Sequence, residues 1–111
     1  MYAREWKCRV PLDKREAFLA YLHETGIREA SSTRGFQGAQ VFMREEEGRA
    51  EITLITYWTT LSAIAAFAGQ DIDRARLYPD DHAYGLEPDL TVRHYEVVEH
   101  IFLPAGARCC D

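Results

Sequence analysis

Apolar and polar residues alternate along the first ten positions of the chain. Because side chains of a β-strand point in turn to its two faces, this pattern predicts a strand over residues 2–10 with one apolar face. The apolar face carries Tyr2, Trp6, Cys8 and Val10, and the other carries Glu5, Lys7 and Arg9. Pro11 is expected to end the strand.

The spacing of the apolar residues becomes helical after this strand. Asp13 can cap a helix, because Glu16 follows it at the distance that a capping box requires. Gly26 is placed to close the helix in the left-handed conformation. The buried stripe is predicted to consist of Phe18, Leu19, Tyr21 and Leu22.

Two strands joined by a short hairpin are predicted over residues 36–44 and 50–58, with Gly48 in the turn between them. The second of these strands carries large side chains on both faces. Ile52, Leu54 and Trp58 alternate there with Thr53, Ile55 and Tyr57. Both faces of this strand are therefore expected to be covered.

The remaining elements complete a β-α-β-β-α-β order in which the second helix is broken in two. Thr60 can cap a helix over residues 61–68, which Gly69 ends. Residues 71–77 are predicted to form another helical segment, and residues 91–99 to form the last strand. This order predicts an α+β, ferredoxin-like fold with an antiparallel sheet.

The organisation expected from this order is a single domain over residues 1–99, followed by a C-terminal tail over residues 100–111. Helices cover one face of the sheet, so a second copy of the chain is expected to cover the other and to form a homodimer. The charges of Glu5, Lys7 and Arg9 must then lie at the rim of that interface, pair with their neighbours, or face solvent.

Composition narrows the class of protein. A net charge of −5 over 111 residues does not favour nucleic-acid binding. No apolar run approaches the roughly 20 residues that span a bilayer, and the first residues lack the apolar centre of a signal peptide. We therefore expect a cytoplasmic protein that binds neither nucleic acid nor membranes.

Three cysteines without a C-x-x-C motif predict neither a disulfide framework nor a zinc site. They are Cys8, Cys109 and Cys110. The adjacent pair is expected to be two thiols on a loose tail, and a redox or metal role is the less favoured alternative.

Six stretches of the sequence share a pattern with a known family of small proteins. They are LHETGIR at 22–28, GFQGA at 35–39, TYWTTLSAI at 56–64, FAGQDI at 67–72, YPDD at 78–81 and VRHYEV at 92–97. In these stretches the chain resembles the antibiotic biosynthesis monooxygenase-like family of dimeric α+β barrels. The resemblance extends over residues 2–99 and implies the same fold, with a cavity between helices and sheet.

The resemblance implies one of two kinds of chemistry. Some members of the family oxygenate quinols or aromatic polyketides without a cofactor, and others break down bound haem. The haem-degrading members use an Asn on the first strand, and a Trp and a His whose positions fall near Phe67 and Leu77. The present chain contains no Asn, so haem degradation by that route is not expected.

The function predicted from the sequence is that of a cofactor-independent monooxygenase acting on a small aromatic or quinol-like substrate. The alternative is a non-catalytic, small-ligand-binding or stress-related dimeric barrel protein. An enclosed cavity that reaches His94 would favour the enzyme, and a fully packed core would favour the alternative.

His94 is the candidate catalytic base, because it shares one face of the last strand with Val92 and Glu96 and titrates near neutral pH. The alternative is a structural histidine that a neighbouring strand or Glu96 satisfies, or one that faces the dimer interface.

Six residues are candidates for substrate binding. Indoles can form the walls of a site for a flat ring, and the acidic, aromatic loop over residues 79–88 can form a rim. The candidates are Trp6, Trp58, Phe67, Tyr78, His82 and Tyr84. Core packing is the alternative for both tryptophans. Asp80, Asp81 and His82 are adjacent and cannot easily converge on one ion, so no metal is expected.

Overall fold

A five-stranded antiparallel sheet forms the centre of the computed structural model, which describes residues 1–102. The strands are β1 (Tyr2–Pro11), β2 (Phe36–Glu46), β3 (Arg49–Trp58), β4 (Glu87–Pro88) and β5 (Arg93–Glu96). Their order is β2-β3-β1, and β4 and β5 both pair with the remaining edge of β1. This is the predicted ferredoxin-like fold. The predicted loose tail with Cys109 and Cys110 lies outside the described residues.

The first helix is longer than predicted and contains an irregular turn. It consists of α1 (Arg15–Leu22), a π turn (His23–Ile27) and α2 (Arg28–Ser31). The prediction that Gly26 ends the helix is wrong, because Gly26 is buried inside the π turn. The predicted cap by Asp13 is also wrong: a 3₁₀ turn precedes α1, and no side chain caps either element.

The next helix, α3 (Leu61–Ala68), begins and ends as predicted. Thr60 Oγ1 accepts a hydrogen bond from the backbone N–H of Ala63 at 3.1 Å, and Gly69 follows the helix with φ 96°. No helix formed by residues 1–102 is long and apolar enough to cross a membrane.

Residues 71–77 are irregular, so the prediction of a helical segment there is wrong. Their backbone groups bond to the chain that leads into β5 instead. The N–H of Val92 donates to the carbonyl of Asp73 at 2.8 Å, and the N–H of Ala75 donates to that of Leu90 at 2.9 Å. These bonds use groups that a helix would need. The predicted last strand is also shortened, because only residues 93–96 pair with β1.

The helix-covered face of the sheet holds two hydrophobic clusters. The Cys8 cluster contains Cys8, Val10, Phe18, Leu22, Ala50 and Ile52. The Trp58 cluster contains Ala30, Trp58, Ala63 and Ile64. Burial raises the pKa of the Cys8 thiol to about 12, so this cysteine is a neutral packing residue.

A polar row crosses the sheet between the two clusters. It consists of Thr56 on β3, Arg4 on β1 and His94 on β5, which are direct neighbours in the strand register. On β1 the row lies between Tyr2, which packs against the Trp58 cluster, and Trp6, which packs against the Cys8 cluster. The hydrophobic core is therefore interrupted at one defined position.

The opposite face of the sheet is bare of helices in the described part of the chain. The three charges of β1 that lie on it each have a partner. Tyr95 OH donates to Glu5 Oε1 at 3.3 Å, Lys7 Nζ donates to Thr53 Oγ1 at 3.3 Å, and Arg9 Nη2 donates to Asp89 Oδ1 at 2.6 Å. Of the three predicted arrangements for these charges, the structure shows pairing with neighbours.

Candidate ligand-binding site

A cavity lies between the first helix and the covered face of the sheet, where the polar row meets the Cys8 cluster. Most of its walls are apolar, formed by Trp6, Phe18, Leu22, Leu54, Phe67, Tyr78 and Val92. Its polar lining comes from Arg4, Thr25, Arg76 and Asp81, and Gly26 completes it.

The cavity is small in this conformation. The whole recess has a volume of about 440 Å³, which includes open solvent at the mouth. The part of it that the centre of a water molecule can enter is only about 40 Å³. One water needs roughly 10–15 Å³ of such space, so the inner cavity has room for a few waters. Anything larger requires the side chains at the mouth to move.

Gly26 contributes part of this space. A Cβ at this position would lie 3.6 Å from Leu22 Cδ1 and 3.7 Å from Tyr78 Cε2, which is ordinary van der Waals contact. The glycine therefore leaves a methyl-sized gap in the wall instead of avoiding a clash. The π turn around it is supported by Thr25, whose Oγ1 donates to the carbonyl of Tyr21 at 2.8 Å.

Arg4 is the buried cation of the cavity and is only 5% exposed. Its Nη1 donates to the carbonyl of Ile72 at 2.5 Å and to Nε2 of His94 at 3.0 Å. Its Nη2 donates to the carbonyl of Arg74 at 2.9 Å. Burial lowers the pKa of Arg4 to about 10, and the charge of Asp73 partly opposes this. Arg4 is therefore still charged at neutral pH.

His94 lies directly behind Arg4, and its side chain is 11% exposed. Its Nε2 contacts Arg4, and its Nδ1 lies 3.5 Å from Asp73 Oδ1. Because a guanidinium only donates, these partners assign the lone pair to Nε2 and the proton to Nδ1. Burial lowers the pKa of His94, the charge of Arg4 lowers it further, and Asp73 raises it. His94 is thus neutral, and its Nε2 lone pair accepts a hydrogen bond from Arg4.

Three side chains that we call the rim latch contact one another at the edge of the cavity: Glu29 of α2, Arg76 and Tyr78. Arg76 forms an ion pair with Glu29, and Tyr78 OH donates to the same carboxylate at 2.9 Å. The guanidinium of Arg76 also lies over the rings of Phe67 and Tyr78, 5.1 and 5.4 Å from their centroids. Burial, followed by the bond to Glu29, raises the pKa of Tyr78 well above its usual range.

Asp81 supplies the carboxylate of the cavity lining. It accepts a hydrogen bond from the backbone N–H of Tyr78 at 2.8 Å. Burial raises the pKa of Asp81, and the hydrogen bond from Tyr78 opposes this shift. The lining therefore has its negative charge on the loop after Tyr78 and its buried positive charge on strand β1. Within residues 1–102, no group of three or more His, Cys, Asp or Glu could hold a metal ion.

The structure brings together some of the predicted site residues. Trp6, Phe67 and Tyr78 line the cavity, and the Trp6 indole N–H donates to the carbonyl of Asp89 at 2.9 Å. Of the two faces that the sequence left open for His94, the structure places it on the covered one, where it reaches the cavity only through Arg4.

Three predicted substrate-binding residues do not lie in the cavity lining. Trp58 is fully buried in its own cluster, where it stacks on Phe67 with ring centroids 5.5 Å apart. Tyr84 packs against Tyr21 at 5.0 Å, outside the walls of the cavity. His82 is exposed on the loop. Packing against Phe67 and Tyr21 therefore occupies the rings of Trp58 and Tyr84, whereas His82 faces solvent.

Arg4 and Gly26 are two of the lining residues that were not predicted as site residues; the polar residues Thr25, Arg76 and Asp81 are others. Arg4 falls between Tyr2 and Trp6 on the apolar face of β1, and a charge inside such a row signals a buried polar site. Gly26 carries no comparable signal, because a glycine near the expected end of a helix is typical of a cap.

Fold and site together define the class: a ferredoxin-like α+β domain with a cavity between its helices and one face of its sheet. Solved structures share this fold. One is an arginine-to-serine mutant of MhuD with two manganese protoporphyrin IX molecules bound per active site. Its TM-score is 0.61 at 18% identity, over 92% of this chain and 99% of that one.

A second solved structure with this fold is a dimeric ferredoxin-like protein from an uncultured marine organism. Its TM-score is 0.57 at 11% identity, over 93% of this chain and all of that one. No family model and no curated protein matches the chain. The likeness predicted from the sequence is therefore confirmed at the level of the fold.

Proposed function

We propose that the protein is a homodimer that binds a small aromatic molecule in the helix–sheet cavity. The observation that carries this proposal is Arg4, a buried cation that opens onto aromatic and aliphatic walls. Such walls suit a flat ring, and a guanidinium suits an oxygen atom on that ring. The MhuD structure, with two porphyrins per active site, gives a precedent for a ligand in a protein of this fold.

The proposed reaction is cofactor-independent oxygenation of a phenol or quinol. Loss of the hydroxyl proton gives an electron-rich ring that dioxygen attacks. One oxygen atom bonds to a ring carbon, and this carbon loses its hydrogen and becomes a carbonyl. The carbon that carried the hydroxyl group also becomes a carbonyl, because the hydroxyl has lost its proton. The second oxygen atom leaves as water with both hydrogens, so dioxygen is the only oxidant required. Proton transfer of this kind contributes ~10²–10⁴ in rate.

His94 is the proposed acceptor of the proton, once a ligand has displaced Arg4 from Nε2. Burial keeps the imidazole neutral and therefore basic. The contact between Arg4 and Nε2, at 3.0 Å, also favours a second candidate function. While Arg4 holds His94, the cavity binds its ligand without turnover, and Arg4 is the polar group that the ligand touches.

Haem is not the proposed substrate. The positions that resemble the Trp and His of haem-degrading relatives hold Phe67, which stacks on Trp58, and Leu77, which is 42% exposed. Incubation with haem, a reductant and catalase should leave the Soret band undiminished. Regioselective conversion to a biliverdin-like product would contradict this part of the proposal.

A second copy of the chain is proposed to cover the bare face of the sheet. That face has an open recess beside Phe42 and Ile55. Phe42 on β2 is 49% exposed and Tyr95 on β5 is 46% exposed, and both lie on this face, where a partner would cover them. The second solved neighbour is itself described as dimeric.

Light scattering at micromolar concentration tests the dimer. The native protein should show twice the mass of one chain, and Phe42→Asp should shift it to a single chain without unfolding it. Leu61→Asp, an equally exposed apolar position on α3, is the matched control and should stay dimeric. A native monomer would contradict the proposal.

A ligand screen tests binding and turnover separately. Phenols and quinols should raise the melting temperature of the native protein, since a ligand that binds only the folded state stabilises it. Dioxygen uptake with those ligands should yield the carbonyl product, and His94→Gln should lose uptake while it keeps binding. Binding without uptake in the native protein would establish the non-catalytic function. No stabilisation by any phenol or quinol would refute the proposal.

A further inference from the structure

We infer that the cavity binds its aromatic ligand as an anion, with an ionised ring oxygen held by Arg4. The ligand class is therefore a phenolate. This inference rests on the proposed function, and it adds the charge state of the ligand and the residue that selects it. Three observations carry it: the unused donors of Arg4, its missing counter-charge, and the distribution of charge around the cavity.

The guanidinium of Arg4 has hydrogen-bond donors that the protein does not use. Three of its five N–H groups donate to the carbonyls of Ile72 and Arg74 and to His94. The other two, on Nε and Nη2, have no protein partner within residues 1–102, and Nε is not sealed by protein atoms. Because Arg4 lines the cavity and is otherwise surrounded by protein, a partner for these donors has to come from the cavity.

The positive charge of Arg4 also lacks a direct counter-charge. No carboxylate of the described residues lies within ion-pair distance of its guanidinium. The acidic group that influences it most is Asp73, which is 77% exposed and is itself bound to His94. A buried cation in this position is stabilised by an anion that enters beside it.

The other ionisable groups around the cavity do not cancel this effect. Arg76 is paired with Glu29 at the mouth. Tyr78 is a neutral phenol, because burial raises its pKa. Asp81 also lines the cavity, but it is not within ion-pair distance of Arg4 and already accepts a backbone hydrogen bond. An anionic oxygen is therefore expected at the sheet side of the cavity, with the ring toward the apolar walls.

The reporter that tests the charge state is 4-nitrophenol, because its ionised form absorbs visible light. Bound to the native protein, its apparent pKa should fall by about one to two units, a roughly tenfold to hundredfold preference for the phenolate. Benzoate should likewise bind about tenfold more tightly than benzamide, which has a similar shape and no charge.

Substitutions at two arginines distinguish an effect of the cavity site from an effect of the protein's overall charge. Arg4→Gln should abolish the pKa shift of bound 4-nitrophenol, and Arg4→Lys, which keeps the charge, should retain part of it. Arg34→Gln removes the same charge from an exposed loop and should leave the shift unchanged. Circular dichroism checks that each variant is folded. If Arg4 variants fail to fold, the comparison of benzoate with benzamide on the native protein decides the question alone.

The binding experiments distinguish an error in this inference from an error in the proposed function. If 4-nitrophenol binds with an unchanged or raised pKa and benzamide matches benzoate, the cavity binds aromatic molecules but not as anions. If none of the three compounds binds, the proposed function is wrong and the inference falls with it. Gly26→Ala narrows the cavity without touching Arg4, so unchanged binding in that variant would place the ligand elsewhere and overturn the inference.

Discussion

The two tryptophans of the covered sheet face have opposite surroundings. Trp58 is fully buried, and its indole N–H donates to Thr56 Oγ1 at 2.8 Å. Trp6 is half-buried and forms a wall of the cavity. Strand alternation places both indoles on the same face. What differs is the layer above them, which seals one region and leaves the other open.

Two glycines show how the layers differ. A Cβ at Gly35, near Trp58, would lie 2.5 Å from the Cβ of Ala63 and 2.9 Å from Thr59 Oγ1. This glycine therefore permits close packing of α3 on the sheet. A Cβ at Gly26, above the cavity, would meet only ordinary contacts. Gly35 thus allows tight packing around Trp58, whereas Gly26 leaves empty space in the wall of the cavity.

The largest expected effect comes from removing the sealed indole. Trp58→Ala should lower the free energy of unfolding by about 3–5 kcal/mol, because it leaves a cavity in a packed cluster. Trp6→Ala should cost clearly less, since Trp6 already borders open space, but it should weaken binding of 4-nitrophenol. Urea unfolding compares the two variants. Equal losses of stability would show that the two regions are packed alike.

The next effect concerns the glycine under α3. Gly35→Ala should cost about 2–4 kcal/mol, because its φ of 99° strains a side chain and its Cβ would overlap Ala63. Gly69→Ala is the matched control: its φ of 96° imposes a similar strain, but nothing lies within 4 Å of its Cβ. The difference between the two variants in urea unfolding measures the clash. No difference would mean that α3 can move away freely.

The glycine of the open region should respond in the opposite direction. Gly26→Ala should raise the free energy of unfolding by about 0.5–1 kcal/mol, because alanine favours helical backbone. The same methyl group should weaken the binding of 4-nitrophenol several-fold by filling the wall of the cavity. A loss of stability would show that position 26 has no spare room.

The smallest effect is a pH dependence of the polar row between the two regions. The pKa of His94 is lower in the folded protein than in the unfolded chain, since burial and Arg4 disfavour its charged form. The unfolded chain therefore binds the proton first as the pH falls. Stability is complete above about pH 6.5 and is lost as the pH falls toward and through the folded pKa.

Unfolding free energies between about pH 8 and pH 5 test this dependence. His94→Gln should remove the loss of stability below about pH 6.5, because glutamine has no proton to bind. His23→Gln, at an exposed helix position, should keep it. An unchanged slope in His94→Gln would assign the dependence to another group.

The parts of the fold that could be predicted depend on local patterns. The first three strands follow from their apolar patterns, and α3 follows from Thr60 and Gly69 at its ends, whereas β4 lies in a segment predicted to be an irregular loop. The prediction of a helix over residues 71–77 is wrong because of contacts with distant parts of the chain. Two carbonyls of this segment accept from Arg4, about seventy positions earlier in the chain, and no local pattern shows that competition.

The candidate site shows the same division. The aromatic walls Trp6 and Phe67 could be predicted, because large rings on a covered face are visible in the sequence. The role of Arg4 could not, since it depends on carbonyls of a later loop and on His94 across the sheet. The gap at Gly26 depends on the π turn that buries this residue, and no sequence signal predicted that turn.

The rim latch is expected to affect how long a bound molecule stays in the cavity. Arg76 and Glu29 form an ion pair at the edge of the cavity, and Tyr78 bonds to the same carboxylate, so we expect these contacts to slow the passage of a molecule larger than water. Both charged side chains are more than a third exposed, so dissolved salt weakens their attraction. Exchange of a bound molecule with solvent should therefore become faster as ionic strength rises. Surface electrostatics, more than depth of burial, then sets how long an occupant stays.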